Sequence, residues 1–263
     1  MAAPSIAEVH EITRERFETE IVTAGKPVVL RGLVADWPAA QHGRESPQSI
    51  CQYLIERDSG APVDAILLPP AERGRIFYNA AMDGFNFLRD RLPVSRVLEQ
   101  IARYSHFAAP PAVAVQSALI RDCLPRFLDE NPMQLLECEP RIWIGNAIVT
   151  PAHYDNSHNL ACVVAGRRRF TLFPPEQIDN LHVGPIDFAP AGPCISLVDF
   201  ADPDHARFPR FRAAFEHAHA AELGPGDAIY IPTGWWHHVV SLDVCNVLVN
   251  YWWTADSVHS RRQ

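Results

Sequence analysis

From Arg141 onward the chain breaks into short β-rich runs divided by Pro and Gly turns: 141–146, 148–155, 159–165, 168–173, 194–198, 215–223, 228–231, 237–242 and 245–253. Many short strands with regular punctuation must pair as two packed sheets, in a sandwich or a barrel. Gly224-Pro225-Gly226-Asp227 is a tight turn signal. The first 140 residues differ. Thr13 can cap a helix that carries Phe17 and Ile21 four apart and stops at Gly25. Strands are expected at 27–30 and 63–68, and a helix at 47–58 with Ile50, Leu54 and Ile55 on one face. Pro93 suits the first turn of another helix, where Val94, Val97, Leu98 and Ile101 follow the i, i+3, i+4, i+7 pattern. These pieces predict a mainly β fold: an N-terminal α/β cover over residues 1–140 and a β core over 141–254. At 263 residues and 48% hydrophobic content, with no linker or repeat, one domain with one large core is expected.

His153 and Asp155 stand two apart. On a strand that spacing points both side chains to one face. An imidazole and a carboxylate on one face, joined by a distant His, make a 2-His-1-carboxylate set, which holds Fe(II) on one side and leaves positions open. The distant His is expected at His237, 82 residues after Asp155 (237 − 155). With 12 His and 31 Asp plus Glu in the chain, an H-x-D pair alone is a weak signal. His217 and His219 are the internal rival, a second same-face pair, but Ala221 follows them on that face and supplies no third ligand.

The flanking runs add to this. They are Thr150-Pro151-Ala152-His153-Tyr154-Asp155, Leu172-Phe173-Pro174-Pro175, Asp199-Phe200, Arg207-Phe208-Pro209, Gly224-Pro225-Gly226-Asp227, Trp235-Trp236-His237-His238 and Val249-Asn250-Tyr251-Trp252. In that order they resemble the cupin-like, JmjC-type oxygenases that use iron and 2-oxoglutarate, most closely the asparaginyl hydroxylases that inhibit the hypoxia-inducible factor. Lys26-Pro27-Val28-Val29-Leu30-Arg31-Gly32 and Asp36-Trp37-Pro38 carry the resemblance into the N-terminal part.

The resemblance implies a double-stranded β-helix, the jelly-roll arrangement of cupins. It implies His153, Asp155 and His237 as Fe(II) ligands and catalytic residues. The family's second His follows a double-aromatic step after Ile-Pro, which selects His237 over His238; His238 is expected to point outward as an ordinary partly buried His. Thr150, Asn159 and Asn250 are implied as 2-oxoglutarate contacts, and Trp252 as an aromatic wall beside the iron. The family's distal-carboxylate Lys is matched by Arg168, and the chain's single lysine, Lys26, lies far away in the cover. Arg168 shares a strand face with Phe170 and Leu172, so that face reads as internal, with Arg167 and Arg169 solvated opposite. A guanidinium fork can grip a carboxylate with two parallel hydrogen bonds. The family's Tyr on an earlier strand is matched by Ala114, and a substrate-facing Arg has no match around Ala191-Gly192-Pro193. Few residues follow Trp253, so the family's C-terminal dimer is not expected; a monomer or another pairing surface is.

The implied reaction consumes O2 and 2-oxoglutarate, yields succinate and carbon dioxide, and hydroxylates a protein or peptide side chain. A small molecule, RNA or N-methyl group stays open as substrate, as does a binding module that holds a metal or ligand without turnover. The formal net charge of −8, with no basic tail, argues against generic nucleic-acid binding. No apolar run approaches a membrane span, and the charged N-terminus lacks a signal core. The six cysteines form no C-x-x-C pair. A cytoplasmic protein with reduced, structural thiols is the expectation. The irregular stretch 176–192 is expected to line a substrate entrance.

Overall fold

A computed structural model describes residues 3–190 and 192–254. Its strands are β1 (Ala7–His10), β2 (Val28–Arg31), β3 (Val63–Leu68), β4 (Leu88–Leu92), β5 (Ala112–Leu119), β6 (Pro140–Gly145) and β7 (Val149–His153). Then come β8 (His158–Ala165), β9 (Arg168–Phe173), β10 (His219–Leu223), β11 (Ala228–Ile231), β12 (Trp236–Ser241) and β13 (Asn246–Trp253). They form a nine-stranded sheet, β1-β2-β11-β8-β13-β6-β5-β3-β4, and a four-stranded sheet, β10-β9-β12-β7. From β6 onward the chain alternates between the sheets except at β9 and β10, which pair with each other, with β7, β9, β10 and β12 in the small one and β6, β8, β11 and β13 in the large one. That alternation is the double-stranded β-helix, a jelly-roll core.

Strand periodicity divides each strand between two environments. On β13, Val247, Val249, Tyr251 and Trp253 belong to the core beneath the helices, while Leu248 joins the cluster between the sheets. That inter-sheet cluster includes Val163, Phe170, Leu172, Ile229 and Val239. The outer face of the large sheet is covered by helices Pro38–Glu45, Pro47–Ile55 and Val94–Tyr104. In Val94–Tyr104 all four residues of the apolar stripe, Val94, Val97, Leu98 and Ile101, are buried, each worth about 1.5–3 kcal/mol of transfer free energy. Ser46 caps Pro47–Ile55 by accepting from the Ser49 amide at 3.0 Å, and Thr13 caps the first helix by accepting from Arg16 at 3.2 Å. Gly43 must be glycine, because a Cβ there would collide with the Val164 carbonyl of β8. Strands from the first 140 residues extend both edges of the large sheet, so this segment is partly cover and partly sheet. Among the described residues no helix is long and apolar enough to cross a membrane.

Two sequence expectations are corrected. The run 194–198 makes only isolated bridges, Ile195 with His153 and Ser196 with Val183. The run 215–223 is not one strand: Phe211–Glu216 is helical and β10 starts at His219. A short apolar run cannot be assigned to strand or helix by periodicity alone. Phe211 and Ala214 turn their buried face onto the outer side of the small sheet.

Candidate metal centre

His153 closes β7, Asp155 lies two residues beyond the strand end, and His237 stands on β12. Antiparallel pairing of β12 with β7 sets His237 directly opposite His153. Their ring centroids are 4.1 Å apart, and Nε2 of His237 is 3.7 Å from Oδ2 of Asp155. One ligand atom from each of the three lies within 4.8 Å of the others, a group able to hold a metal ion.

The tautomers follow from the carbonyls around the rings. Nδ1 of His153 is 2.9 Å from the Pro151 carbonyl, and Nδ1 of His237 is 3.1 Å from the Trp235 carbonyl. A carbonyl only accepts, so both Nδ1 atoms carry the proton and both Nε2 lone pairs are free for a metal. Burial, reinforced by His153, pushes the His237 imidazole down to about 4, so it is neutral at neutral pH. Burial works to raise the Asp155 carboxyl, but the two imidazoles, Trp252 and Asn159 outweigh it and hold it below the usual carboxylate range. A neutral imidazole and an ionised carboxylate are the protonation states that metal ligation requires. Oδ2 of Asp155 accepts from Trp252 Nε1 at 3.0 Å and Asn159 Nδ2 at 3.4 Å, and Asn159 Oδ1 accepts from Asn250 Nδ2 at 2.7 Å.

The group opens into a cavity of about 170 Å³. It is smaller than the roughly 300–1,000 Å³ of drug-sized pockets and suits a small acid. All eight residues singled out in the sequence line it: His153, Asp155, His237, Thr150, Asn159, Arg168, Asn250 and Trp252. Arg168 is 7% exposed, whereas Arg167 pairs with Asp243 at 3.1 Å and Arg169 with Glu222 at 3.0 Å on the surface. Burial pushes the Arg168 guanidinium down to about 10, which leaves it cationic at neutral pH. Among the described residues its Nε has no hydrogen-bond partner, and neither have Oδ1 of Asn250 and Nε1 of Trp143, both also from cavity residues. Buried polar atoms are nearly always satisfied, so three orphans around one cavity mark the place of a polar ligand. A dicarboxylate held at the metal by one end and at Arg168 by the other fits this donor set.

Trp143 was not singled out in the sequence. The signal was its parity: Ile142 and Ile144 of β6 face the helices, which turns Trp143 to the cavity side. Gln116 and Ser117 were missed too. They reach the cavity from a bulge in β5, where Ser117 has φ 48. Ala114 packs with Ile66, Leu68 and Ile76 and brings no polar group.

His238 corrects an expectation. It faces away from the metal group but is 7% exposed, stacked on Phe200 at 4.3 Å, and burial pushes its imidazole down to about 3. His217 and His219 do not share a strand face: His217 follows the helix Phe211–Glu216, and His219 sits on β10 with its ring 6.2 Å from Trp235. From the 176–192 stretch, Pro190 lines the cavity and accepts from Arg89 at 3.2 Å. Ala191 and the residues after Thr254, on which the expectations of a missing Arg and a missing dimer partly rest, lie outside the described residues.

Residues 14–259 match the Cupin-like domain family. HSPB1-associated protein 1 of Bos taurus is 36% identical over 267 residues, 97% of this chain and 53% of that protein. Lysine-specific demethylase JMJ31 of Arabidopsis thaliana is 34% identical over 277 residues, 93% of this chain and 49% of that protein. Lysine-specific demethylase 8 of Xenopus tropicalis is 25% identical over 253 residues, 95% of this chain and 53% of that protein. The chain spans about half the length of these relatives.

Proposed function

The chain belongs to the cupin-like, JmjC-type family, whose members depend on Fe(II) and 2-oxoglutarate, and from that premise we propose that it is an oxygenase hydroxylating a protein or peptide side chain. One observation carries the reading: two free Nε2 lone pairs and an ionised carboxylate converge at one side of a cavity that also holds a buried arginine whose Nε has no partner among the described residues. His153, Asp155 and His237 would hold the iron. When bound, iron with 2-oxoglutarate supplies the oxidising power to insert one oxygen atom of O2 into a C–H bond, as 2-oxoglutarate becomes succinate and carbon dioxide.

The protein's own residues bind and orient. Arg168 receives the distal carboxylate with its fork, assisted by Thr150 of β7, which lies on the far side of β12 and lines the same cavity. Asn250 fixes Asn159, and Asn159 and Trp252 together aim the Asp155 carboxylate. Phe170, Ile231, Val239 and Leu248 wall the cavity and keep water from it.

The names of two relatives favour a second reading, lysine N-demethylation, which begins with the same hydroxylation of a methyl carbon. The test is to incubate the iron-loaded chain with 2-oxoglutarate and peptide libraries, then read products by mass. Gain of one oxygen atom supports side-chain hydroxylation. Loss of a methyl group supports demethylation. Neither, with no succinate formed, leaves the chain a ligand-binding module.

A further inference from the structure

We propose that Cys51 and Cys245 are a modification site, a thiol pair that a peroxide converts to a reversible intramolecular disulfide. The proposal does not rest on the oxygenase reading, although Cys245 lies near enough to Arg168 to feel its charge. Cys51 belongs to helix Pro47–Ile55 and Cys245 directly precedes β13, yet their Sγ atoms lie 3.7 Å apart across 194 positions of chain. A disulfide needs about 2.05 Å, a closure of about 1.7 Å shared between two side chains.

The two sulfurs are unequal in the way the chemistry requires. Cys51 is half-buried, and Cys245, though buried, lines a surface groove of about 680 Å³ through which a small oxidant can approach the pair. The sulfur contact with Cys245 lowers the Cys51 thiol, and the same contact together with burial raises the Cys245 thiol. Cys123, by contrast, is buried and pushed up to about 12 by desolvation, the setting of an inert structural thiol.

The step balances with the peroxide as oxidant. The Cys51 thiolate attacks one peroxide oxygen, the O–O bond breaks, and with one proton taken up the products are a sulfenic acid on Cys51 and water. Sγ of Cys245 then attacks Sγ of Cys51. The S–S bond forms, the S–O bond breaks, and the Cys245 proton leaves with the hydroxyl as a second water. Two sulfurs are each oxidised by one electron and hydrogen peroxide is reduced to two waters. The bond ties the helix to β13, the strand that carries Asn250 and Trp252, and closes a very long loop. Such a loop restricts the unfolded chain most.

The experiment exposes the purified chain to one equivalent of hydrogen peroxide with a chelator present. Thiols are then blocked under denaturing conditions and the chain is digested without reductant. The expected result is one linked peptide pair carrying Cys51 and Cys245, lighter by two hydrogens. The free-thiol count falls from six to four and recovers with dithiothreitol. The oxidised chain should melt on the order of 5–10 °C higher, and reduction should cancel the gain. Cys51→Ser should lose both the link and the gain in melting temperature. If that variant does not fold, the wild-type peptide map decides alone. Sulfinic acid on Cys51 without a link, links to other cysteines or between chains, or six thiols still free would each overturn the proposal.

Discussion

Nε1 of Trp252 donates to Oδ2 of Asp155 at 3.0 Å, so the last strand of the barrel holds the carboxylate that lies just past the end of β7. The ring also meets Trp143 edge-on at 6.3 Å. Trp252 therefore serves packing and ligand orientation together. Trp252→Phe keeps the ring and removes the donor. Fe(II) affinity should fall about tenfold to a hundredfold while the fold survives. Titration with Fe(II) under argon, alongside circular dichroism, checks this; unchanged affinity would detach Trp252 from the metal centre.

Arg168→Ala should weaken 2-oxoglutarate binding by about 2–5 kcal/mol, roughly thirty-fold or more, because a carboxylate is left unpaired in a buried site. Iron binding should persist. Arg167→Ala, which removes only a surface pair with Asp243, should bind 2-oxoglutarate as the parent does. Calorimetric titration of 2-oxoglutarate into the anaerobic iron-loaded chain separates the two.

The same arginine should cost stability when no ligand is present. A buried cation without a partner is unfavourable, so Arg168→Met should leave the ligand-free chain at least as stable as the parent. Added 2-oxoglutarate should raise the melting temperature of the parent and not of the variant. A ligand-free Arg168→Met chain that melts well below the parent would show that Arg168 already has a structural partner.

Strand parity gave the His153 and Asp155 pair and the inward turn of Arg168, while His237, Thr150, Asn159, Asn250 and Trp252 were marked by the family resemblance. Asp155 follows His153 at a spacing that survives the end of β7, and Arg168 turns inward with Phe170 and Leu172 as alternation requires. The register that brings β12 against β7 was not legible from spacing, since it depends on how both sheets close. His238 was read as outward-facing, and it does face away from the metal. Its burial comes from Phe200, in a long excursion between β9 and β10 whose path periodicity cannot give. The end of the helix Phe211–Glu216, from Phe215, was taken for the start of a strand because a short run with an aromatic residue suits either state. The charged edge strand β4 shows neither clean alternation nor a β-branched run and escaped notice, and the Ala-rich β5 was marked only by the family match at Ala114.

His238→Ala should test that burial. Losing a buried ring stacked on Phe200 should destabilise the chain by on the order of 2 kcal/mol. Fe(II) affinity should stay unchanged, because His238 faces away from the metal group. Urea unfolding and metal titration of one preparation give both numbers. A stable variant that no longer binds iron would reverse the assignment of His237 and His238.

The central claim is that His153, Asp155 and His237 hold iron for 2-oxoglutarate turnover, and the most direct measurement is succinate release with iron, 2-oxoglutarate and oxygen supplied. The parent chain should release succinate even without substrate, chelation should stop it, and His153→Ala, Asp155→Ala and His237→Ala should each abolish it. No succinate from the iron-loaded parent, or undiminished release from Asp155→Ala or His237→Ala, would contradict the account.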